Sequence, residues 1–311
     1  MRIVENKSLA NCITHTGKFH ADDVFSTAFL DLYLKGVSVY RTNEVTDEDY
    51  RENVYIYDIG QKELDHHQIT AKVRANGIMY CSFGLIWEKY GKDYLQETGV
   101  ENIDVIYEAF VKDLVEAIDA DDNGMFPKIE ANYKVKTLSM VIDVFNVSYD
   151  SGDDSNEQFI KAVEFAKEII IEEIKNLVGK NKAYIKVSKI IENSTSNILV
   201  LDEYLPFNEA IQQLDINKEI YFVIYPSDRG GYAIKAVQNS IDDKSLRVPF
   251  PKEWAGLVDD KLENTCKVKG ALFCHNKCFI ASASNLDSAI DMAKQAIACH
   301  VNNKIAEDSI D

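Results

Sequence analysis

Apolar positions along the first half of the chain switch between two periods. NCIT (11 to 14) is a short apolar run that predicts a strand. ADDVFSTAFLDLYLKG (21 to 36) then sets Val24, Phe25, Ala28, Phe29 and Leu32 on one helical face, with Gly36 as its stop. VSVYRT (37 to 42) and VYIYD (54 to 58) follow as strands, and a polar loop containing DHH comes after them. A helix is predicted from about Ser82 to Tyr90 and a longer one from about Ile103 to Ile118. The second runs out into DADDNGMFP, where Asn-Gly and Pro are turn signals. Strands alternating with helices give an α/β fold class, with a mainly parallel sheet covered by helices on both faces.

SGDDSNEQ (151 to 158) reads as a linker. After it a long helix is predicted, with Phe159, Val163, Ala166, Ile170, Ile174 and Leu177 as its apolar stripe and its Glu and Lys residues as a solvated face. ILVLD (198 to 202), EIYFVIYP (219 to 226), YAIKAV (232 to 237) and ALFCH predict the strands of a second, smaller α/β unit. A helix near Leu286 to His300 closes it, and Asp228 to Gly231 form a hairpin turn. The expected organisation is a first domain over 1–150, a linker and long helix over 151–195, and a carboxy-terminal domain over 196–311.

Composition narrows the class. With 311 residues, 46% apolar and 27% charged, the chain has the make-up of a globular protein, and no segment approaches the ~20 apolar residues of a membrane span. MRIVENKSLANC is polar by its fifth residue and lacks a signal-peptide core, so a cytoplasmic address is expected. The six cysteines are dispersed and read as reduced. Cys274, His275 and Cys278 cluster, but the fourth ligand and paired spacing of a structural zinc site are missing.

Net charge is −17: residues 1 to 150 hold 26 acids and 15 bases, the remainder 25 and 19. Such a surface repels a long duplex, although a cation-loaded cleft can still admit a short phosphate-bearing ligand. No membrane partner is expected, and self-association is left open.

Candidate chemistry collects at one place. If NCIT and VYIYD are adjacent parallel strands, His15 follows the end of one and Asp58 ends the other. His20, Asp22 and Asp23 begin the intervening helix, and Asp65, His66 and His67 arrive a few residues past Asp58. Open α/β sheets bind ligands at the carboxyl ends of their strands. Singly, Asp22 or Asp23 could cap a helix and Asp58 could be a turn residue. Together, mixed His and Asp donors at a strand-edge crevice suit divalent cations of intermediate hardness. Two such cations sharing one aspartate would clamp a phosphoryl group and activate water. There is no GxSxG, Walker loop or GxGxxG.

THTGKFHADD, then DIG at Asp58, then DHHQ at 65 to 68, resemble the DHH phosphoesterase superfamily. Adding DADDNG (119 to 124) and FPKEWAGL (250 to 257), the chain most resembles the melanocyte proliferating gene (Myg-type) family, in order and over almost its whole length. The resemblance implies an amino-terminal DHH domain holding two divalent cations, manganese by preference, with magnesium or another divalent ion as alternatives. A carboxy-terminal domain would close over substrate. It implies His15, His20, Asp22, Asp58 and His66 as metal ligands, Asp58 bridging, and Asp119 as the late carboxylate with Asp122 as its rival. Asp65 would orient a histidine, and His67 would face substrate as charge stabiliser or general acid. The pyrophosphatases of this superfamily carry an aspartate where His20 falls, so their coordination does not transfer directly.

In the second domain Arg229, Gly230, Gly231, Arg247, Lys252 and His275 are candidates for holding a substrate phosphate. The alternative is a hairpin turn with solvated lysines. HNKCFIAS replaces the glycines that can follow the tail histidine in this family, and Trp254 is either a packing anchor or a base-stacking surface.

Three functions compete. The first is a metal-dependent phosphodiesterase, a 3'-to-5' exonuclease on RNA or short single-stranded oligonucleotides. The second is a hydrolase of a small phosphate compound such as pyrophosphate or a cyclic dinucleotide. The third is a metal-binding regulatory protein without turnover.

Overall fold

A computed structural model describes residues 1–240 and 242–308. The chain divides into two compact units, Met1–Gly179 and Lys180–Asp311. The division falls inside the long helix α6 (Ser155–Glu192).

In the first unit four strands, β1 (Arg2–Ile3), β2 (Cys12–Thr14), β3 (Ser38–Arg41) and β4 (Tyr55–Ile56), form an all-parallel sheet in the order β1-β3-β2-β4. β2 is central and buried along its whole length, which is why it reads as a continuous apolar run rather than an alternating one. Alternation reappears between the sheet faces. Cys12, Val39 and Tyr57 enter the main core, while Ile13 and Ile56 face a smaller cluster with Tyr40, Val45 and Tyr50.

The main core is made by α1 (Ala21–Tyr33), α2 (Ser82–Glu97), α3 (Ile103–Phe110) and the first half of α6. Phe25, Phe29, Phe83 and Trp87 are fully buried, and full burial of one such side chain contributes ~1.5–3 kcal/mol. Phe29 meets Trp87 edge-on at 5.1 Å between ring centroids. The stripe Phe159, Val163, Ala166, Ile170, Ile174, Leu177 is buried in this core, where the sequence periodicity puts it.

α3 continues through a π-helical turn, Val111–Val115, into α4 (Glu116–Asp122), so the helix predicted to end near Ile118 carries on four residues further. This places Asp119 and Asp122 one turn apart on a rigid element instead of in a loop. α5 (Leu138–Asp143) is an addition that the sequence pattern did not predict.

In the second unit β5 (Ile198–Val200), α7 (Asn208–Leu214), β6 (Phe222–Pro226), β7 (Tyr232–Ala236), α8 (Asp259–Cys266), β8 (Ala271–Cys274), β9 (Ile280–Ala283) and α9 (Leu286–Asp308) follow. The sheet order is β5-β6-β7-β9-β8, with β5 parallel to β6 and the other pairs antiparallel. β6 and β7 are joined by the hairpin that Asp228 to Gly231 predicted. No helix among the described residues is long and apolar enough to cross a membrane.

Candidate metal centre

The parallel register of β2 and β4 builds the site. Ile13 pairs with Ile56, so two residues further along each strand His15 and Asp58 emerge side by side at the carboxyl edge. His15 Nε2 lies 3.2 Å from Asp58 Oδ2. β3 lies on the other side of β2, so this edge is also where the strand order reverses, the position at which open α/β sheets take ligands. Asp58 has a left-handed backbone, φ 56°, and its N–H donates to Ser82 Oγ at 2.9 Å.

α1 brings two carboxylates to the same place. Successive helical residues point about 100° apart, so Asp22 and Asp23 serve different neighbours. Asp23 turns toward His15, Oδ2 to Nε2 3.4 Å, while its Oδ1 accepts from the backbone N–H of His20 at 2.7 Å and closes the first turn of α1. Asp22 accepts from the N–H groups of Ser82 and Phe83, at 2.9 and 2.6 Å, at the start of α2, where the helix dipole favours an anion. It also lies 3.4 Å from His66 Nδ1.

Two three-residue groups result, His15, Asp23 and Asp58, and Asp22, His66 and Asp122. In each, one donor atom per residue lies within 4.8 Å of the others. A third group of the same kind, Asp58, Asp65, His66 and His67, connects them. Asp58 belongs to two groups and its other oxygen is 3.9 Å from His66 Nδ1.

The donor chemistry fits divalent cations. His15 Nε2 and Asp23 Oδ2 are buried without a hydrogen-bond partner, a costly arrangement that a cation would relieve. Burial, reinforced by the charge of Asp22, pushes Asp58 up to about 8, and burial pushes Asp23 up to about 7. Burial works against protonation of the two imidazoles, yet Asp58 and Asp23 raise His15 to about 9, and Asp122 and Asp22 raise His66 to about 11. All four shifts run in the direction that favours the protonated donors when no cation is bound.

Geometry separates the two late carboxylates. Asp122 Oδ2 is 3.0 Å from His66 Nε2. Asp119, the first choice from the sequence, is fully buried and held by Arg74 and by the N–H and Sγ of Cys81, and it belongs to none of the three groups. His20, expected among the ligands, is likewise outside them. It is exposed at the start of α1, its ring 5.8 Å from that of His15, and it lines the adjoining cavity. Asp65 holds His67, Oδ1 to Nδ1 2.6 Å, and also accepts from Gln61 N–H. The His67 side chain is 56% exposed and lines the same cavity.

Sequence reasoning placed Asp23 at this edge with capping as the alternative, did not name it among the ligands, and overlooked Ser82, Arg74 and Arg41. Ser82 Oγ contacts both Asp58 N and His66 Nδ1, and no sequence motif announces it. Arg41, at the end of β3, is buried against Phe159. It donates to the carbonyls of His15 and Gly17 and to Ser155 and Asn156. The signal that could have found it is an arginine ending a buried strand beside the histidine loop.

The second-unit candidates do not form one constellation. Arg229 and Gly230 are exposed in the hairpin. Gly231 has φ 66° and lies so close to the Ala283 carbonyl that a Cβ would collide with it, which is a packing reason for glycine. Arg247 is buried in an ion pair with Asp215 and donates to the Ile220 carbonyl, so its charge is already matched inside the fold. Lys252 is exposed on a 3-10 turn, and His275 accepts from the N–H of Lys277. Trp254 is 4% exposed against Phe250, a packing anchor.

A parallel α/β sheet thus gathers His and Asp donors that could hold a metal ion at its switch point. Residues 11–297 match the family described as "Uncharacterised protein family (UPF0160)", and the chain belongs to this family. It is 26% identical to "MYG1 protein" of Dictyostelium discoideum, over 90% of this chain and 94% of that one. It is 27% identical to "MYG1 protein" of Chlamydia trachomatis, over 86% and 90%. It is 24% identical to "MYG1 exonuclease" of Rattus norvegicus, over 92% and 84%. No solved structure gives a significant match.

Proposed function

We propose that the protein is a metal-dependent phosphodiesterase holding two divalent cations, manganese by preference, and acting as a 3'-to-5' exonuclease on RNA or short single-stranded oligonucleotides. The observation that carries this reading is Asp58 standing between His15 and Asp23 on one side and Asp22, His66 and Asp122 on the other. His15, Asp23 and Asp58 would hold one ion, and Asp22, Asp58, His66 and Asp122 the second. Bound cations lower the pKa of water and neutralise charge on phosphoryl oxygens. Asp65 fixes His67 by accepting from Nδ1–H, so that Nε2 would face the substrate as an acceptor in the neutral ring and, in the imidazolium form, would donate to a phosphoryl oxygen or to the departing alkoxide. The rat and mouse relatives named "MYG1 exonuclease" support the nuclease reading.

A second reading, hydrolysis of a small phosphate compound, is favoured by the net charge of −17. Both are tested by offering the purified chain Mn²⁺ with a 5'-labelled single-stranded RNA, pyrophosphate and a cyclic dinucleotide, beside Asp58→Ala and His66→Ala. A ladder shortening from the RNA 3' end, lost in both variants, is expected. Turnover of pyrophosphate alone would replace the first reading with the second.

A further inference from the structure

We propose that the cavity beside the chelating groups contains a nucleobase subsite built on Phe126, so that the ester selected is one flanked by a base. This inference rests on the phosphodiesterase reading and adds which part of the substrate is recognised. The cavity measures about 690 Å³, inside the range of ~300–1,000 Å³ in which small organic ligands bind and far larger than a lone phosphate needs. Its lining is of two kinds. Asp58, His66, His67 and Asp122 come from the chelating cluster, whereas Met79, Phe126 and Met140 are apolar.

Phe126 is 64% exposed and Met140 40%. A single exposed apolar side chain on a protein surface signifies little, but here two exposed ones and the half-buried Met79 line one cavity that also holds the candidate donors. An inorganic phosphate compound has nothing with which to cover them. A purine or pyrimidine does, because every base offers a π-face to an aromatic ring, and thioethers pack well against aromatic edges. Ser139 and Thr137 line the same cavity and provide hydroxyls for a base edge. Asp121 and Asp143 add negative charge there, so attraction through the base works where attraction to phosphate depends wholly on bound cations.

The test is titration calorimetry on the full chain saturated with Mn²⁺, using adenosine 5'-monophosphate and inorganic phosphate as probes. The nucleotide is expected to bind at least about tenfold more tightly than phosphate. Phe126→Ala should remove most of that preference, a stacked base being worth roughly 5- to 150-fold, with phosphate affinity unchanged, and Phe126→Trp should retain it. Phe126 is not part of the packed core, so Phe126→Ala should fold normally. Equal affinity for the two probes, binding of neither, or a preference untouched in a Phe126→Ala/Met140→Ala double variant would overturn the subsite. Turnover is read separately. Base-dependent binding without hydrolysis of any ester rejects the catalytic reading and keeps the subsite. Cleavage of RNA and of abasic RNA with the same KM does the reverse.

Discussion

Arg74 donates from Nε and Nη2 to one oxygen of Asp119, at 3.1 and 2.6 Å, while the other oxygen of Asp119 accepts from the N–H of Cys81 at 3.1 Å. The pair ties the loop that follows the DHH triplet to α4, the Cys81 contact adds the start of α2, and Gly84 leaves the space in which the carboxylate sits. Removing one member of a buried pair strands the other charge, so Arg74→Ala should cost about 3 kcal/mol of unfolding free energy. Denaturant melts of the Mn²⁺-loaded protein measure this. Gly84→Ala should destabilise as well, since a Cβ there meets both oxygens of Asp119.

Asp122→Asn should act on the donor group as well as on the fold. Its carboxylate is the first partner of the largely buried His66 ring, so the metal-free protein should lose about 1.5–3 kcal/mol at neutral pH, the loss shrinking as pH rises toward the His66 value. Affinity for Mn²⁺ should fall by about 100-fold or more, as a direct donor matters at least as much as the outer groups that orient donors. Competition against a chromophoric chelator reads it. Unchanged affinity in Asp122→Asn, with affinity lost in Asp119→Asn, would return the ligand role to Asp119.

Asp58→Ala should abolish metal-dependent hydrolysis while the fold persists, because Asp58 is shared between groups and its backbone N–H, not its side chain, bonds Ser82. Circular dichroism separates the two effects. Full activity with two ions still bound would remove the shared role.

The pH dependence of the metal-free protein follows from the shifts at the centre. His15 and His66 are raised to about 9 and about 11 from an ordinary 6.5, so the stability they supply is complete below about pH 6.5 and is lost as pH climbs through those values. Asp23 and Asp58, raised to about 7 and about 8 from 3.8, resist ionisation in the fold and act in the same direction, stability falling from about pH 4 to 8. With a chelator present, Tm should therefore drop between pH 6 and pH 8. Saturating Mn²⁺ should shrink or reverse that drop, since chelation needs the deprotonated donors. Scanning calorimetry at both pH values checks it, and a chelator-treated protein that gains Tm over this range would contradict the assignment.

Gly231→Ala and Arg247→Met distinguish a packing role from a phosphate-binding one. Both should lower stability, the first through collision at the Ala283 carbonyl and the second by leaving Asp215 buried without its partner. In samples that remain folded, Kd for inorganic phosphate should be unchanged. A selective loss of phosphate binding would restore these residues to the substrate set.

Much of the first unit was legible because its signals are local. A continuous apolar run made β2 a buried parallel strand, a 3.6-residue period made α1, and the positions of His15 and Asp58 at strand ends put both on one edge. The hairpin at Asp228 to Gly231 was equally plain from turn chemistry. What the sequence left open concerns residues whose surroundings depend on a distant partner. Asp23 was left between a cap and a donor because adjacent helical residues point apart, and nothing local says that His15 lies beyond it. The family resemblance implied His20 as a ligand, and its place before the first turn of α1 puts it on the cavity wall, outside the three donor groups. Arg247 looked free because Asp215, its partner, is 32 residues away in sequence.

The sequence by itself determined which residue types can chelate cations, the strand and helix ends that carry them, and the family pattern in which they stand. The tertiary structure alone decided the membership of each donor group. Asp119 and Asp122 are equivalent to any reading of DADDNG, one turn apart on the same helix. Arg74 draws the first inward beneath Cys81, whereas His66 meets the second at the mouth of the cavity. The physical reason is that chelation requires donor atoms within a few ångströms of one another, and that distance is set by strand register and helix docking between segments far apart in the chain.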